Sequence, residues 1–234
     1  MVLVAACSER SADIEWRRIP GGEYLLGSRE EGAFQPPTAT ELAPFDISAA
    51  EIGTRLYGEF LNDNPGVAVD GHPQFVRAGG VFRVAAGEGA RAAAHVSYDE
   101  ARQFCRWLSM RSGAIVRLPT PQEWEAAARG GLRGARYPWG WGAAPGRAAF
   151  AAAGAVDTRS HPPNGYGIFD MAGGVFEWCR AEEFGQAPVR GGSWAEKDPR
   201  LLRVFHEVTM DCGYRGADVG FRVVRESREQ EDRL

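Results

Sequence analysis

The sequence NGYGIFDMAGGVFEW, residues 164–178, contains four glycines, four aromatic side chains and two carboxylates, Asp170 and Glu177. Neither a helical nor a strand periodicity runs through it. Glycine permits backbone angles that other residues avoid, and aromatic rings fill protein interiors. One interpretation is therefore a buried turn region. The other is a binding site in which the two carboxylates are the charged members.

The composition of the 234 residues is that of a globular protein. Hydrophobic residues make up 44% and charged residues 25% of the chain, which excludes an intrinsically disordered protein. The net charge of −4 gives no electrostatic reason to expect nucleic acid as a partner. No run of about 18 apolar residues, the length of a membrane-spanning helix, occurs. No linker or repeat divides the chain, so we expect a single domain over residues 14–226 and a charged tail over 227–234.

The first residues resemble the end of a bacterial lipoprotein signal. A short apolar run, MVLVAA, precedes Cys7 and Ser8, although the basic region and full apolar length of a complete signal are missing. In this interpretation residues 1–13 are a signal remnant and tether, and Cys7 is lipidated and anchors the chain to a membrane. The expected location is then the periplasmic face of the bacterial envelope, at the outer membrane if the chain is lipidated. If the resemblance is spurious, the cysteine is there by chance and the protein is cytoplasmic.

Three segments carry the sequence signature of a helix start. Each has a serine or threonine followed three residues later by glutamate, which is a capping box, with apolar residues at helical spacing after it. The three boxes are Ser48–Glu51, Ser97–Glu100 and Thr120–Glu123. Gly113 and Gly130 stand where the second and third helices should end. The remaining chain reads as short strands, with a long glycine-rich loop region over 130–194.

Neither the cysteines nor the histidines form a recognisable metal motif. Cys105, Cys179 and Cys212 have no CxxC spacing, so at most one internal disulfide can form among them, and its pairing stays open. The histidines include no pair at the i, i+4 spacing of a helical zinc site. They are His72, His95, His161 and His206.

Six blocks of sequence, in this order, resemble the formylglycine-generating enzyme family, also called sulfatase-modifying factors. They are VSYDEARQFCRWLS (96–109), RLPTPQEWEAAARGG (117–131), YPWG (137–140), PPNGYGIFDMAGGVFEW (162–178), VRGGSW (189–194) and GFRVVR (220–225). Two earlier segments, IPGGEYLLGS (19–28) and PFDISAAEIGTRLYGEFL (44–61), are similar to the N-terminal part of that family. The resemblance covers residues 14–226. It implies a single α+β domain, formylglycine-generating-enzyme-like, loop-rich and related to the C-type lectin fold.

The resemblance also indicates which chemistry is missing. Active members oxidise a sulfatase cysteine by means of two cysteines that follow the GGS block and bind copper, and Glu196 and Arg200 stand at those positions here. Neither side chain is the soft thiolate that Cu(I) requires. Phe176 replaces the family tryptophan beside that pocket, and Val223 replaces the family disulfide partner of the cysteine that matches Cys105. We therefore expect no copper and no formylglycine-generating activity.

Residues 164–178, which we call the opening stretch, match a calcium site of this family. The resemblance assigns as ligands the side chain of Asp170, the main-chain carbonyls of Gly173 and Val175, and the carboxylate of Glu177. Hard oxygen ligands with two negative charges suit Ca²⁺. Gly174 replaces an asparagine that is common in the family, and the family's other calcium site has no matching asparagine. We expect one structural calcium ion; the alternative is that Asp170 caps a turn and Glu177 pairs with an arginine.

The expected function is that of a lectin-like binding or scaffold module of the bacterial envelope. Aromatic rings and arginines along residues 193–215 suit planar or anionic partners. The candidate ligand residues are Ser193, Trp194, Arg203, His206, Tyr214 and Arg215. The partner would be an envelope protein, a peptide or a glycan. The alternative is an enzyme of unassigned chemistry, such as a metal-dependent oxidase, that acts on a periplasmic peptide or small molecule with Glu196 and Arg200 as an acid–base pair.

Overall fold

The computed structural model describes residues 14–30, 35–67, 71–182 and 185–226. The predicted lipidation site Cys7, with the rest of segment 1–13, and the tail 227–234 lie outside these ranges. Within them the chain forms three α-helices, two four-stranded sheets and two two-stranded sheets, which confirms the predicted α+β fold. No helix of the described chain is both long and apolar enough to cross a membrane.

The helices are α1 (Thr54–Asp63), α2 (Tyr98–Ser112) and α3 (Pro121–Arg129). The first sheet has the strand order β1 (Trp16–Ile19), β4 (Phe45–Ser48), β12 (Val224–Glu226), β7 (Val116–Arg117). The second has the order β10 (Val208–Asp211), β9 (Gln186–Arg190), β8 (Phe176–Trp178), β11 (Val219–Gly220). The two-stranded sheets pair β2 (Gly22–Leu26) with β3 (Thr38–Leu42) and β5 (Phe75–Ala78) with β6 (Val81–Val84). Strands β8 and β11 are parallel.

Helices α2 and α3 begin and end where the sequence predicts. Ser97 Oγ accepts the main-chain N–H of Glu100, and the Glu100 carboxylate accepts the N–H of Ser97. Thr120 and Glu123 form the same reciprocal box at the start of α3. Each helix ends at its predicted glycine, whose backbone is left-handed. Both helices are thus specified by residues within their own first and last turns.

The capping box predicted at Ser48–Glu51 is wrong. Ser48 is the last residue of β4 and pairs with Trp16 of β1. Glu51 is buried rather than placed at a helix start. Helix α1 begins at Thr54, and its N-cap is Gly53, which makes no side-chain hydrogen bond. Strand pairing between residues far apart in the chain therefore overrides the local helix signal.

Two large clusters of buried side chains, out of four in the described residues, form most of the core. In the larger one, Tyr57 and Phe60 of α1 pack on Phe104 of α2, with ring centroids 6.0 and 5.5 Å away, and Phe104 packs on Phe221 at 5.1 Å. The second surrounds Trp124 of α3. Between 130 and 194 the only regular elements of the described chain are β8 and β9. This long segment contributes Ile168, Met171 and Cys179 to the second cluster and carries Asp170 and Glu177.

Candidate functional site

A buried ion pair lies at the end of the opening stretch. The Glu177 carboxylate accepts hydrogen bonds from Arg222 Nε and Nη2 at 2.6 and 2.7 Å and from Trp124 Nε1 at 2.6 Å. The side chains of Glu177 and Arg222 are both 0% exposed. Arg222 also donates to the carbonyl oxygens of Ser48 and Phe169. One guanidinium thus connects β4, the opening stretch and β8.

Two further carboxylates, Glu51 and Asp170, lie beside this pair. Glu51 Oε2 is buried and has no hydrogen-bond partner. Burial, followed by the charges of Asp170 and Glu177, raises the pKa of the Glu51 carboxyl well above its usual range. Asp170 has a left-handed backbone with φ 55°, which is uncommon for a residue with a side chain. Burial also raises the pKa of Asp170, whose Oδ2 accepts the Arg159 N–H at 2.5 Å.

Two of the predicted calcium ligands, Asp170 and Glu177, already have other hydrogen-bond or ion-pair partners. Asp170 caps the turn at Arg159, and Glu177 pairs with Arg222, which are the contacts of the alternative interpretation. Because Glu177 already has a neutralising partner on both oxygens, it is a poor candidate for a direct ligand. In the described ranges no three Asp, Glu, His or Cys side chains form a group that could hold a metal ion. Glu51, which the sequence indicated only as part of a capping box and not as a site residue, has the unpartnered oxygen instead.

The positions that match the copper cysteines of the family lie beside a buried serine. Ser193 Oγ donates to Asp218 Oδ2 at 2.8 Å. Glu196 is half-buried, and burial together with the charges of Asp218 and Asp198 raises its pKa. Arg200 forms an ion pair with Asp198 at 2.7 Å. In the structure the Arg200 guanidinium therefore pairs with Asp198, whereas the acid–base hypothesis pairs it with Glu196.

The three described cysteines are free thiols in different parts of the fold. Cys105 on α2 and Cys179 after β8 are buried. Burial raises the pKa of Cys105 to about 12 and that of Cys179 well above its usual range. Burial and neighbouring acidic side chains also raise the pKa of Cys212. No disulfide forms among them, and all three remain protonated near neutral pH.

Four of the six candidate ligand residues lie around the loop that follows β10. Trp194 Nε1 donates to the carbonyl oxygen of Ala217 at 3.4 Å. Tyr214 is 48% exposed. Arg215 binds both oxygens of the Glu100 carboxylate at 3.0 Å. We call the surface formed by Trp194, Tyr214 and Arg215 the Tyr214 face; Ser193, the neighbour of Trp194 in the chain, is fully buried and is not part of this surface.

The other two candidates, Arg203 and His206, have contacts in another part of the chain. Arg203 follows a 3-10 helix at Pro199–Leu202 and forms an ion pair with Glu30 at 3.2 Å. The N–H of His206 donates to the carbonyl oxygen of Arg203. The continuous ligand surface predicted along 193–215 therefore divides into two parts, because the 3-10 helix and β10 separate them.

Two histidines that sequence spacing did not link are neighbours in the structure. The rings of His72 and His95 have centroids 5.8 Å apart. Burial, with the nearby His95, lowers the pKa of His72 to about 4, and burial lowers that of His95. His95 has a left-handed backbone, φ 56°, and its N–H donates to Gly216 at 2.8 Å. The pair borders the Tyr214 face, since Gly216, which accepts this hydrogen bond, is the residue after Arg215.

Comparison with known sequences matches almost the whole chain. The family described as "Sulfatase-modifying factor enzyme 1-like domain" matches residues 7–227. Serine/threonine-protein kinase pkn1 of Chlamydia pneumoniae is 34% identical over 151 residues, which are 56% of this chain and 23% of that protein. Inactive C-alpha-formylglycine-generating enzyme 2 of Bos taurus is 37% identical over 120 residues, 44% of this chain and 38% of that one. The chain thus spans well under half the length of either relative.

Formylglycine-generating enzyme of Thermomonospora curvata is 29% identical over 217 residues, which are 69% of each chain. Among solved structures, Treponema denticola variable protein 1 has a TM-score of 0.74 and 22% identity, over 91% of this chain and 95% of that one. PvdO from Pseudomonas aeruginosa also has a TM-score of 0.74, with 23% identity over 91% and 94%. At such identities the likeness shows the fold alone. The family match over 7–227 shows more: this chain belongs to the formylglycine-generating enzyme, or sulfatase-modifying factor, family.

Proposed function

We propose that this family member is a binding or scaffold module without formylglycine-generating activity. The observation that carries the proposal is the pair of side chains at the copper positions, where Glu196 and Arg200 replace thiols. Cu(I) requires soft thiolate ligands, and the described cysteines are protonated and lie apart. The relative from Bos taurus, whose name marks it as inactive, is a precedent for the loss of this activity in the family.

Incubation with a cysteine peptide of the sulfatase type, Cu(I) and oxygen should give no aldehyde above a no-enzyme control. Aldehyde is measured by mass spectrometry after hydrazide capture, and the Thermomonospora curvata enzyme is the positive control. The double variant Glu196→Cys/Arg200→Cys should gain Cu(I) affinity, because it restores two thiols at matching positions. Aldehyde formed by the unmodified chain would overturn the proposal.

The side chains of the Tyr214 face are suited to binding a ligand with an aromatic or sugar ring. Tyr214 and Trp194 offer ring surfaces at little cost in side-chain entropy. The guanidinium of Arg215 is already bound by Glu100, and Asp218 and Glu196 add acidic groups nearby. We therefore expect a neutral or cationic glycan or peptide to bind here in preference to an anion.

Trp194→Ala/Tyr214→Ala should weaken binding at least tenfold, since aromatic side chains dominate binding energy at such surfaces. A printed array of glycans and cationic peptides identifies a probe, and its Kd is then measured by calorimetry. Trp141→Ala is the matched control, because Trp141 is a tryptophan exposed by 61% in another loop. Equal loss in the control, or no loss in the double variant, would remove the Tyr214 face from the proposal.

We further propose that the module is held on the periplasmic side of the bacterial envelope through a lipid on Cys7, as the resemblance of the first residues to a lipoprotein signal indicates. An anchored binding module of this kind would meet envelope proteins, peptides and glycans. These are the partner classes suited to the Tyr214 face.

One observation favours an enzyme as the second candidate. The neutral rings of His72 and His95 have centroids 5.8 Å apart, and the charge of Asp218, which accepts a hydrogen bond from Ser193, acts on His95. Neutral imidazoles can accept protons or bind metals. A metal-dependent oxidase should retain copper or iron after purification, whereas a binding module should not. Elemental analysis of the purified chain separates the two candidates.

A further inference from the structure

One segment of the chain is basic although the net charge of the whole is −4. Between residues 126 and 156 there is no aspartate or glutamate, but there are four arginines, Arg129, Arg133, Arg136 and Arg147. Arg129 and Arg136 have glutamate partners. Arg133 and Arg147 are exposed and form no ion pair with any residue of the described ranges. These two guanidinium groups are therefore available to an anionic partner.

An exposed aromatic side chain lies between these two arginines. Trp141 is 61% exposed, more than any other aromatic side chain of the described residues. A Cβ atom on the next residue, Gly142, would lie 3.9 Å from Arg147 Nε. A Cβ atom on the preceding residue, Gly140, would lie 3.9 Å from Cδ1 of Leu132, which is also exposed. We use the name Trp141 surface for Leu132, Arg133, Trp141 and Arg147.

The loop that carries Trp141 is held in place by its own contacts. The main-chain groups of Tyr137 and Gly140 form hydrogen bonds with each other in both directions at 2.9 Å. The ring of Trp139 stacks on that of Tyr137, with centroids 4.9 Å apart, and Trp139 Nε1 donates to the Gly142 carbonyl oxygen at 3.0 Å. Trp139 thus stabilises the turn, while Trp141 stays exposed to solvent. Because the loop is already ordered, binding through Trp141 avoids the entropy cost of ordering it.

This combination of side chains fits the surface of an anionic lipid membrane. Tryptophan is enriched where the headgroups of a bilayer meet its hydrocarbon, and arginines are attracted to the negative potential of anionic lipids. A soluble polyanion would contact the arginines but leave Leu132 and Trp141 in water. The two apolar side chains therefore favour a bilayer over a polyanion. Glu23, which lines the hollow beside Leu132 and Arg133, is an acidic side chain at its edge.

We propose that the Trp141 surface binds membranes that contain anionic phospholipids, with Trp141 and Leu132 inserted among the headgroups and Arg133 and Arg147 on the lipid phosphates. The contact is reversible and peripheral. It rests neither on the Tyr214 face nor on a lipid at Cys7, so either of those proposals can fail without affecting it.

Vesicle co-sedimentation of the full chain tests the proposal, in a Cys7→Ser background that removes any attached lipid. The chain should bind vesicles of phosphatidylcholine with about one-third phosphatidylglycerol at least tenfold more tightly than vesicles of phosphatidylcholine alone, and added salt should weaken this binding. Brominated lipids should quench part of the tryptophan fluorescence, because Trp141 reaches the acyl chains. No binding, or equal binding to the two kinds of vesicle, would overturn the proposal.

Paired variants test the two kinds of side chain. Arg133→Gln/Arg147→Gln should weaken binding to the anionic vesicles at least tenfold. Arg55→Gln/Arg106→Gln is the matched control, because it removes the same charge from exposed positions of α1 and α2, and it should bind as the Cys7→Ser chain does. Equal loss in the two double variants would mean that net charge, and not this surface, drives binding, and would overturn the assignment.

Trp141→Ala should weaken vesicle binding about tenfold, since it removes the largest apolar side chain from the contact, and should abolish the quenching by brominated lipid. Tyr214→Ala, at the other exposed aromatic side chain, should change neither. Duplex DNA in place of vesicles tests a polyanion as the partner. Binding to DNA as tight as to anionic vesicles, with Trp141→Ala unchanged in both assays, would identify a general polyanion surface and overturn the membrane proposal.

Discussion

Arg222→Met should lower the free energy of unfolding by about 3–5 kcal/mol, the range for breaking a buried ion pair by removal of one partner. The substitution leaves Glu177 without its guanidinium in a place with no exposure to solvent. It also removes the donors to the carbonyl oxygens of Ser48 and Phe169, and buried acceptors without donors add to the cost. Chemical unfolding followed by circular dichroism measures the change.

Glu177→Gln should cost less than Arg222→Met. The amide keeps the shape of the carboxylate and can still accept a hydrogen bond from Trp124. Arg222 would retain two other carboxylates near it, Glu51 and Asp170, whose charges already contribute to holding its pKa above the usual value. By contrast, loss of Arg222 leaves three carboxylates with no cation. Which of the two variants loses more free energy of unfolding therefore tests the arrangement of charges and not merely the presence of a contact.

An exposed ion pair supplies the control for these measurements. Arg102 and Asp99 lie 3.6 Å apart on α2 with side chains 52% and 67% exposed. Arg102→Met should change the free energy of unfolding by less than about 1 kcal/mol, as exposed pairs contribute little. If Arg222→Met costs no more than Arg102→Met, the buried pair does not organise the site as described.

Local sequence patterns predict the starts of helices α2 and α3, because contacts within one helical turn determine them. The boxes at Ser97 and Thr120 are confirmed because serine or threonine and glutamate satisfy each other within one helical turn. The same pattern at Ser48 failed, because Ser48 is drawn into a sheet by β1 and β12, which come from opposite ends of the described chain. A capping box predicts a helix only where no strand partner competes for its first residue.

The candidate site was only partly visible in the sequence for the same reason. The opening stretch carries Asp170 and Glu177 together, so both were identified as charged members of a site. Glu51 belongs to a segment more than a hundred residues earlier, and contacts between distant segments, such as the hydrogen bond from the Ile52 N–H to the Phe221 carbonyl oxygen, bring it beside Gly174. The proximity of the His72 and His95 rings has a similar origin. It depends on tertiary contacts, such as the hydrogen bond from the His95 N–H to the Gly216 carbonyl oxygen, which no sequence spacing indicates.

Gly173→Ala should cost about 2–5 kcal/mol of stability, because two separate penalties combine at this position. The backbone of Gly173 is left-handed, φ 76°, which costs about 1–2 kcal/mol for a residue with a Cβ atom. The new Cβ would also lie 2.2 Å from the carbonyl oxygen of Ala149. That oxygen accepts the Gly174 N–H at 3.0 Å, so moving it away breaks the contact that fixes the loop beneath Asp170.

Gly146→Ala separates the two penalties. Gly146 has nearly the same backbone angle, φ 75°, but no atom lies within 4 Å of the position of its Cβ. It should therefore show only the backbone cost of about 1–2 kcal/mol, and the excess in Gly173→Ala measures the collision with Ala149. Equal losses in the two variants would mean that the segment at Ala149 shifts freely. The close packing around Gly173 would then not hold the Asp170 loop in place. Residues 164–178 would form a turn that tolerates substitution and would not fix the positions of the two carboxylates.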